Sequence, residues 1–240
     1  MTGRLLAIFA HPDDESFGPG GTLAKYAAEG VQVAVVIATR GEGSTLGAVL
    51  HGDELGQVRA AELECAAEAL GISDVRVWSY PDTQLNQADD QELADKVALA
   101  ISEFRPDVLL TFAPGGITGN PDHIAMTEAV VRAFSIADTN VDDGPCPALY
   151  FWSILDSVAE HLRSISTIPF VGVPEAEVSA TIDTSSYLAQ QWAAIHCHKS
   201  QSDPLPRVLK DRMDAQSGRE FFVRHGREPM RGPLVDSLFS

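Results

Sequence analysis

Five short apolar runs alternate with segments of helical apolar spacing through the first 155 residues. That alternation leaves few folds open, because each strand and each amphipathic helix must bury a face against the other. It predicts a parallel sheet covered by helices on both faces. The strand-like runs are 4–10 (RLLAIFA), 31–39 (VQVAVVIAT), 75–80 (VRVWSY), 106–113 (PDVLLTFA) and 148–154 (ALYFWSI). Helical spacing covers 20–30, 54–71, 90–104 and 123–137, and Gly30 and Gly71 stand where a helix would stop. The expected fold is α/β, a Rossmann-like, doubly wound, mostly parallel sheet over 1–155 with a C-terminal elaboration at 156–240. No compositional break marks a linker, so 1–240 reads as one domain. In the elaboration the pattern suggests short strands, a helix at about 185–198 and a late edge strand at 220–225 (EFFVRH).

The formal net charge is -17. Such a field repels phosphate backbones and anionic membranes, and no local basic patch offsets it, so nucleic acid is not an expected partner. No apolar run reaches the ~18 residues of a membrane span, which argues against membrane insertion. The first residues match a secretory signal poorly, so a cytoplasmic location is expected. Cys65, Cys146 and Cys197 are odd in number and far apart, with no CxxC. Three structural thiols are expected rather than a disulfide framework, with Cys65 on the buried face of its helix.

The chemistry concentrates in two loops. "HPDDE" (11–15) follows the first strand and "PGGITGNPDHIA" (114–125) follows the fourth. In a common doubly wound strand order, 3-2-1-4-5-6, these strands are neighbours at the switch point, where ligands bind beyond the carboxyl ends. His11, Asp14 and His123 would then face one point. Two His and one carboxylate are a ligand set for catalytic zinc, with a position left open for water. An uncoordinated Asp13 beside them can take a proton from water that the ion has acidified to a pKa of ~7. The alternative is a plain turn and helix cap, since Asp and Pro are common in both. Glu15 orders the first helical turn or supports a ligand.

At these residues the sequence resembles the LmbE/PIG-L-like zinc-dependent N-deacetylases. The opening signature AHPDDE is present at 10–15, and the downstream HPDH stands here as Asn120-Pro121-Asp122-His123. "TRGEG" (39–43), "VRAAEL" (58–63), "YPD" (80–82), "TIDTSSYLAQQWAAIHCHKSQ" (181–201) and the late "EFF" are also similar. The resemblance implies His11, Asp14 and His123 as Zn²⁺ ligands and Asp13 as general base and acid. It implies Arg59 and Asp82 on the substrate, and Asp122 as the acid that orients the neighbouring histidine. It implies removal of an acetyl group from an N-acetylglucosamine-type sugar, and self-association. Asn120 departs from the usual histidine. Asn still donates a hydrogen bond to an oxyanion but carries no charge, a difference on the scale of a few kcal/mol. The ion is open as well, since a His₂Asp set also takes Fe²⁺ and other divalent metals.

Several of these residues have plainer accounts. Arg59 and Glu62, three apart on a helix, suit an ion pair. Asp82 suits a turn after the third strand, and Arg40 and Glu42 a turn after the second. His196 and His198 suit a helix end, where imidazolium meets the dipole. Glu42 and His198 are nonetheless candidates for substrate contact, His198 if its segment folds over the cleft. The expected function is a metal-dependent hydrolase acting on a small N-acetylated sugar. The competing readings are a metal-free nucleotide-binding protein, an inactive sugar-binding relative and a deacylase of a non-sugar amide. The first lacks GxGxxG and would set acids beside phosphates. Against the second, His11, Asp13, Asp14 and His123 are all intact.

Overall fold

The computed structural model describes residues 2–45, 50–139, 146–202, 206–226 and 235–239. Its chain order is β1 (Arg4–Phe9), α1 (Asp14–Phe17), α2 (Gly20–Ala28), β2 (Gln32–Thr39), α3 (Gly52–Leu70) and β3 (Asp74–Tyr80). Then come α4 (Asp90–Phe104), β4 (Val108–Phe112), the short α5 (Gly116–Gly119), α6 (Pro121–Thr139), β5 (Ala148–Ser153) and α7 (Asp156–Ile165). The chain closes with β6 (Ala180–Asp183), α8 (Leu188–Cys197), α9 (Lys199–Ser202), α10 (Pro206–Gln216) and β7 (Arg219–Arg224). One seven-stranded sheet runs in the order β3-β2-β1-β4-β5-β7-β6.

The first five strands are parallel, as the alternation predicts. In β2 every residue after Gln32 is buried, as is every residue of β4. Continuous apolar runs without polar alternation mark strands covered on both faces. Edge strand β3 is only partly covered along its length. Right-handed crossovers set α2 and α3 on one face and α4 and α6 on the other. Helix α8 returns to pack on α2 and α3. No helix among the described residues is long and apolar enough to cross a membrane.

Three expectations are corrected. EFFVRH is not an edge strand: β7 lies between β5 and β6, antiparallel to both. The edge belongs to β6, the four residues ATID, one of the short strands expected in the elaboration. Residues 161–165, in the stretch where short strands were expected, belong instead to the helix α7. Its apolar face, Val158, Ala159 and Leu162, is buried at helical spacing. Finally, Cys65 and Cys197 form a disulfide across a separation of 132 residues, with Cα atoms 5.7 Å apart. Cys65 is exposed rather than on the buried face. Ala66 on α3 and Ala194 on α8 are fully buried in one small cluster. Small side chains let those two helices approach closely enough for the pairing, which sequence spacing cannot reveal.

Candidate active site

The sheet order makes β1 and β4 neighbours where the chain reverses direction across the sheet, so the loops that leave them part to form a crevice. His11 follows β1 and His123 lies in the first turn of α6. Their rings approach so that His11 Nδ1 is 3.1 Å from His123 Nε2. Asp14 closes the triangle, with Oδ2 3.5 Å from His11 Nδ1 and Oδ1 3.4 Å from His123 Nε2. All three residues are buried.

The far nitrogen of each imidazole is fixed, which determines what the near nitrogen offers. His123 Nδ1 lies 2.9 Å from the carbonyl of Gly116, so Nδ1 carries the proton and Nε2 presents its lone pair. His11 Nε2 faces Asp82 Oδ1 at 3.1 Å and Asp122 Oδ2 at 3.3 Å, so it donates and Nδ1 is left as the ligand atom. Two lone pairs and a carboxylate that converge at these distances need a cation between them. Without one, a proton takes its place. Burial opposes charge on His11, but Asp122, Asp14 and Asp82 outweigh it and hold the imidazole well above its ordinary value. His123 is held low, chiefly by burial. Asp14 stays low despite burial, because His123 and His11 face it. The donor set therefore suits a divalent metal. His11, Asp82 and Asp122 also gather ligand atoms. Their carboxylates, however, already accept backbone N–H bonds from Gly43, Thr83 and Leu85.

Asp13 stands outside both groups. It occupies the N-cap of α1, yet its side chain makes no capping bond. The cap account of HPDD thus leaves this carboxylate unexplained. Its Oδ2 lies 3.0 Å from Arg59 Nη2. Burial pushes its carboxyl up to about 7, against the pull of Arg59 and with the push of Asp14. Its backbone sits at φ 128, a conformation costly for a residue with a Cβ. Glu15 holds it there. The Glu15 carboxylate accepts from Asp13 N at 3.0 Å, from Ser16 Oγ at 2.6 Å and from His198 Nε2 at 2.7 Å.

Arg59 makes no ion pair with Glu62. Its guanidinium donates to the carbonyls of Gly41 and Pro12 and to Asp13, while Glu62 accepts from the backbone and hydroxyl of Ser200. Gly41 has φ +67, and a Cβ there would lie 2.1 Å from Arg59 Nη1. Glycine is required because the arginine occupies the space. Asp122 reaches His11 across the crevice rather than the adjacent His123. Asp82 is buried and spends its oxygens on Gly43 N, Thr83 N and His11. Glu42 accepts from Asp82 N, and His198 is wholly buried behind Glu15. Neither Glu42 nor His198 lines the cavity. Asn120 does line it. Its Oδ1 accepts from Asp122 N at 2.9 Å and so caps α6 just before Pro121. Its amide nitrogen has no partner among the described residues.

The cavity over this cluster holds about 480 Å³. Sequence reasoning missed most of its walls, including Trp152, Phe170 and Leu209. Only an apolar pattern marked them, and that pattern reads equally as core. The Gly116 carbonyl that sets the His123 tautomer is likewise silent in sequence.

Residues 6–134 match the PIG-L family, described as GlcNAc-PI de-N-acetylase. The chain belongs to that family. It is 33% identical over 250 residues to a 1D-myo-inositol 2-acetamido-2-deoxy-alpha-D-glucopyranoside deacetylase of Kineococcus radiotolerans, covering 82% of this chain and 68% of that one. Its fold is shared with the N,N'-diacetylchitobiose deacetylase of Pyrococcus horikoshii, with a TM-score of 0.72 at 21% identity over 95% of this chain and 84% of that one. It is shared equally with the 4-carboxy-2-hydroxymuconate hydratase GalB of Pseudomonas putida, also at 0.72 with 18% identity, over 96% of this chain and 99% of that one. One fold thus carries two kinds of reaction, so the chemistry has to be argued from the side chains of this PIG-L family member.

Proposed function

We propose that this chain is a zinc-dependent N-deacetylase acting on an N-acetylglucosamine-type sugar or glycoside. The observation that carries the reading is the convergence of His11, Asp14 and His123 with Asp13 alongside but outside the ligand set. Kinship with deacetylases of N-acetylglucosamine derivatives supports the same class of substrate.

His11, Asp14 and His123 would hold the ion. When bound, it supplies a Lewis acid that acidifies water and polarises the amide carbonyl. Asp13 takes the proton from the attacking water and returns it to the departing amine nitrogen. A carboxyl pushed up to about 7 is matched to both steps. Arg59 holds the Asp13 carboxylate toward the cavity and limits that rise. Asn120 turns its amide nitrogen to the carbonyl oxygen as charge develops there, with its own oxygen already engaged by Asp122 N. Asp82 and Asp122 keep the His11 tautomer, and Asp82 also shapes the Gly43 turn at the sugar-facing rim. Glu42 and His198 act one layer behind, on Asp82 and Glu15.

The test is release of free amine from N-acetylglucosaminides by protein stripped with a chelator and reloaded with zinc. Asp13→Asn is expected to lose about 10²–10⁴-fold in kcat while still binding one ion per chain, because a general base contributes on that scale. His123→Ala is expected to lose the ion. Undiminished turnover in Asp13→Asn, or no stoichiometric metal in the wild type, refutes the assignment.

A further inference from the structure

Among the described residues two arginines line the cavity, and only one has its charge answered. Arg59 is paired with Asp13. Arg212, on α10 and 4% exposed, bonds two neutral oxygens, Gln216 Oε1 at 2.9 Å and the Phe17 carbonyl at 2.7 Å. A guanidinium has five N–H groups, and Arg212 Nε is left without a partner. Glu220 is the carboxylate whose charge reaches Arg212, but it spends its oxygens on Gly21 N and Thr22 N at the start of α2. Burial outweighs it and pulls the Arg212 guanidinium down to about 10. A void of about 10 Å³ beside Arg212, Gln216 and Glu220 has room for at most one water, which brings no charge.

Trp152, on β5, adds a second unspent donor. The Arg212 guanidinium lies 5.3 Å from the centre of its ring. Trp152 also lines the cavity, and its Nε1 is buried without a partner. A buried charge ordinarily has a counter-charge, and a buried N–H an acceptor. Here a cation and an N–H stand side by side on the wall of the candidate substrate cavity, and neither has its complement within the protein.

The short helix α1 sets their distance from the chemistry. Asp13 is its N-cap, and Phe17, whose carbonyl holds Arg212, is its last residue. Four residues of helix rise about 6 Å, close to the width of a sugar ring.

We infer that Arg212 and Trp152 bind a carboxylate of the substrate, so that the preferred N-acetylglucosamine derivative is an acid whose carboxylate lies about one sugar ring from the acetamide. A single guanidinium balances a single negative charge, which favours a carboxylate over a doubly charged phosphate monoester. The inference rests on the deacetylase reading, keeps its N-acetyl group and names a further part of its substrate. The bond that is hydrolysed is unchanged.

The experiment uses the zinc-loaded protein with three acids and the neutral primary carboxamide of each. In one the carboxylate is on a lactyl ether at O3 of N-acetylglucosamine, in another on a glycolic acid aglycone, and in the third at C6 of the sugar. At least one acid is expected to exceed its carboxamide in kcat/KM by about ten- to a hundredfold, the factor that hydrogen bonds to a charged group give. Arg212→Gln is expected to lower that ratio, as is Trp152→Phe, which keeps a ring and deletes the N–H. Calorimetry on the chelated protein reads the same acid-to-carboxamide ratio in binding, free of turnover and of any attraction between carboxylate and zinc. Equal values within every pair overturn the inference. So does a preference unchanged in Arg212→Gln, or in Trp152→Phe where Arg212→Gln does not fold. If no acetyl group is released from any compound, the deacetylase reading fails, and the calorimetric ratio decides the carboxylate site by itself.

Discussion

Glu15→Ala isolates the device that positions Asp13, the proposed general base. The Glu15 side chain is 0% exposed and accepts three hydrogen bonds, from Asp13 N, Ser16 Oγ and His198 Nε2. Its removal strands His198, also 0% exposed, without its counter-charge. Breaking a buried pair by deleting one partner costs about 3–5 kcal/mol. For a chain of this length, with an unfolding entropy of about 0.5 kcal/mol per degree, Tm should fall by roughly 6–10 °C. The deletion also frees the Asp13 N–H, and the φ of 128 at that residue is then no longer enforced. Relaxation of about 1–3 kcal/mol of backbone strain moves the carboxylate off its line to the substrate. The loss should appear in kcat rather than KM, at temperatures where the variant is fully folded. The double variant Glu15→Ala/His198→Ala separates the two effects. With no stranded charge it should lose less stability than the two single changes summed, by about 1–3 kcal/mol of coupling, yet it should not recover kcat. Urea unfolding of chelated protein and an amine-release assay measure the two quantities. Additive stabilities, or wild-type kcat in Glu15→Ala, would refute this account of Asp13.

The same pair predicts a pH dependence of stability. Burial opposes charge on His198 but Glu15 prevails, so the imidazole is raised above 6.5; its contribution is complete below 6.5 and is lost as pH rises through the raised value. Glu15 is held below 4.5 by His198 against the effect of burial, so its contribution is complete above 4.5 and is lost as pH falls through the lowered value. The difference in Tm between wild type and the double variant should therefore be greatest between 4.5 and 6.5. A difference that does not change with pH counts against the ion pair. Gly41→Ala should displace Arg59, given the 2.1 Å approach of a Cβ to Nη1, and lower activity as Arg59→Ala does; an unaffected Gly41→Ala would show that the arginine position is immaterial. Protein denatured without reductant should titrate two fewer thiols than reduced protein. In the chain-entropy account the Cys65–Cys197 bridge contributes up to about 5 kcal/mol, so Cys65→Ser should lower Tm by up to about 10 °C, and equal thiol counts would rule the bridge out.

The sequence by itself determined the parallel core and named most of the residues that gather at the candidate site. Periodicity is a local property, so buried runs such as VAVVIA in β2 and the helix of α4 at 90–104 announce themselves. The HPDD and NPDH segments likewise show their donors at fixed spacing beside strand ends. The sequence also left Arg59 open between Glu62 and the site, and Asp122 with a neighbouring histidine as its partner. Tertiary structure alone decided that Arg59 holds Asp13 and Asp122 holds His11, because both contacts cross between elements. It likewise decided the Cys65–Cys197 bridge, the insertion of β7 beside β5, and the walls of the cavity. The physical reason is common to all of these. A side chain's type and period are written along the chain, whereas its partner depends on which helices and strands pack together, and only the folded sheet order settles that.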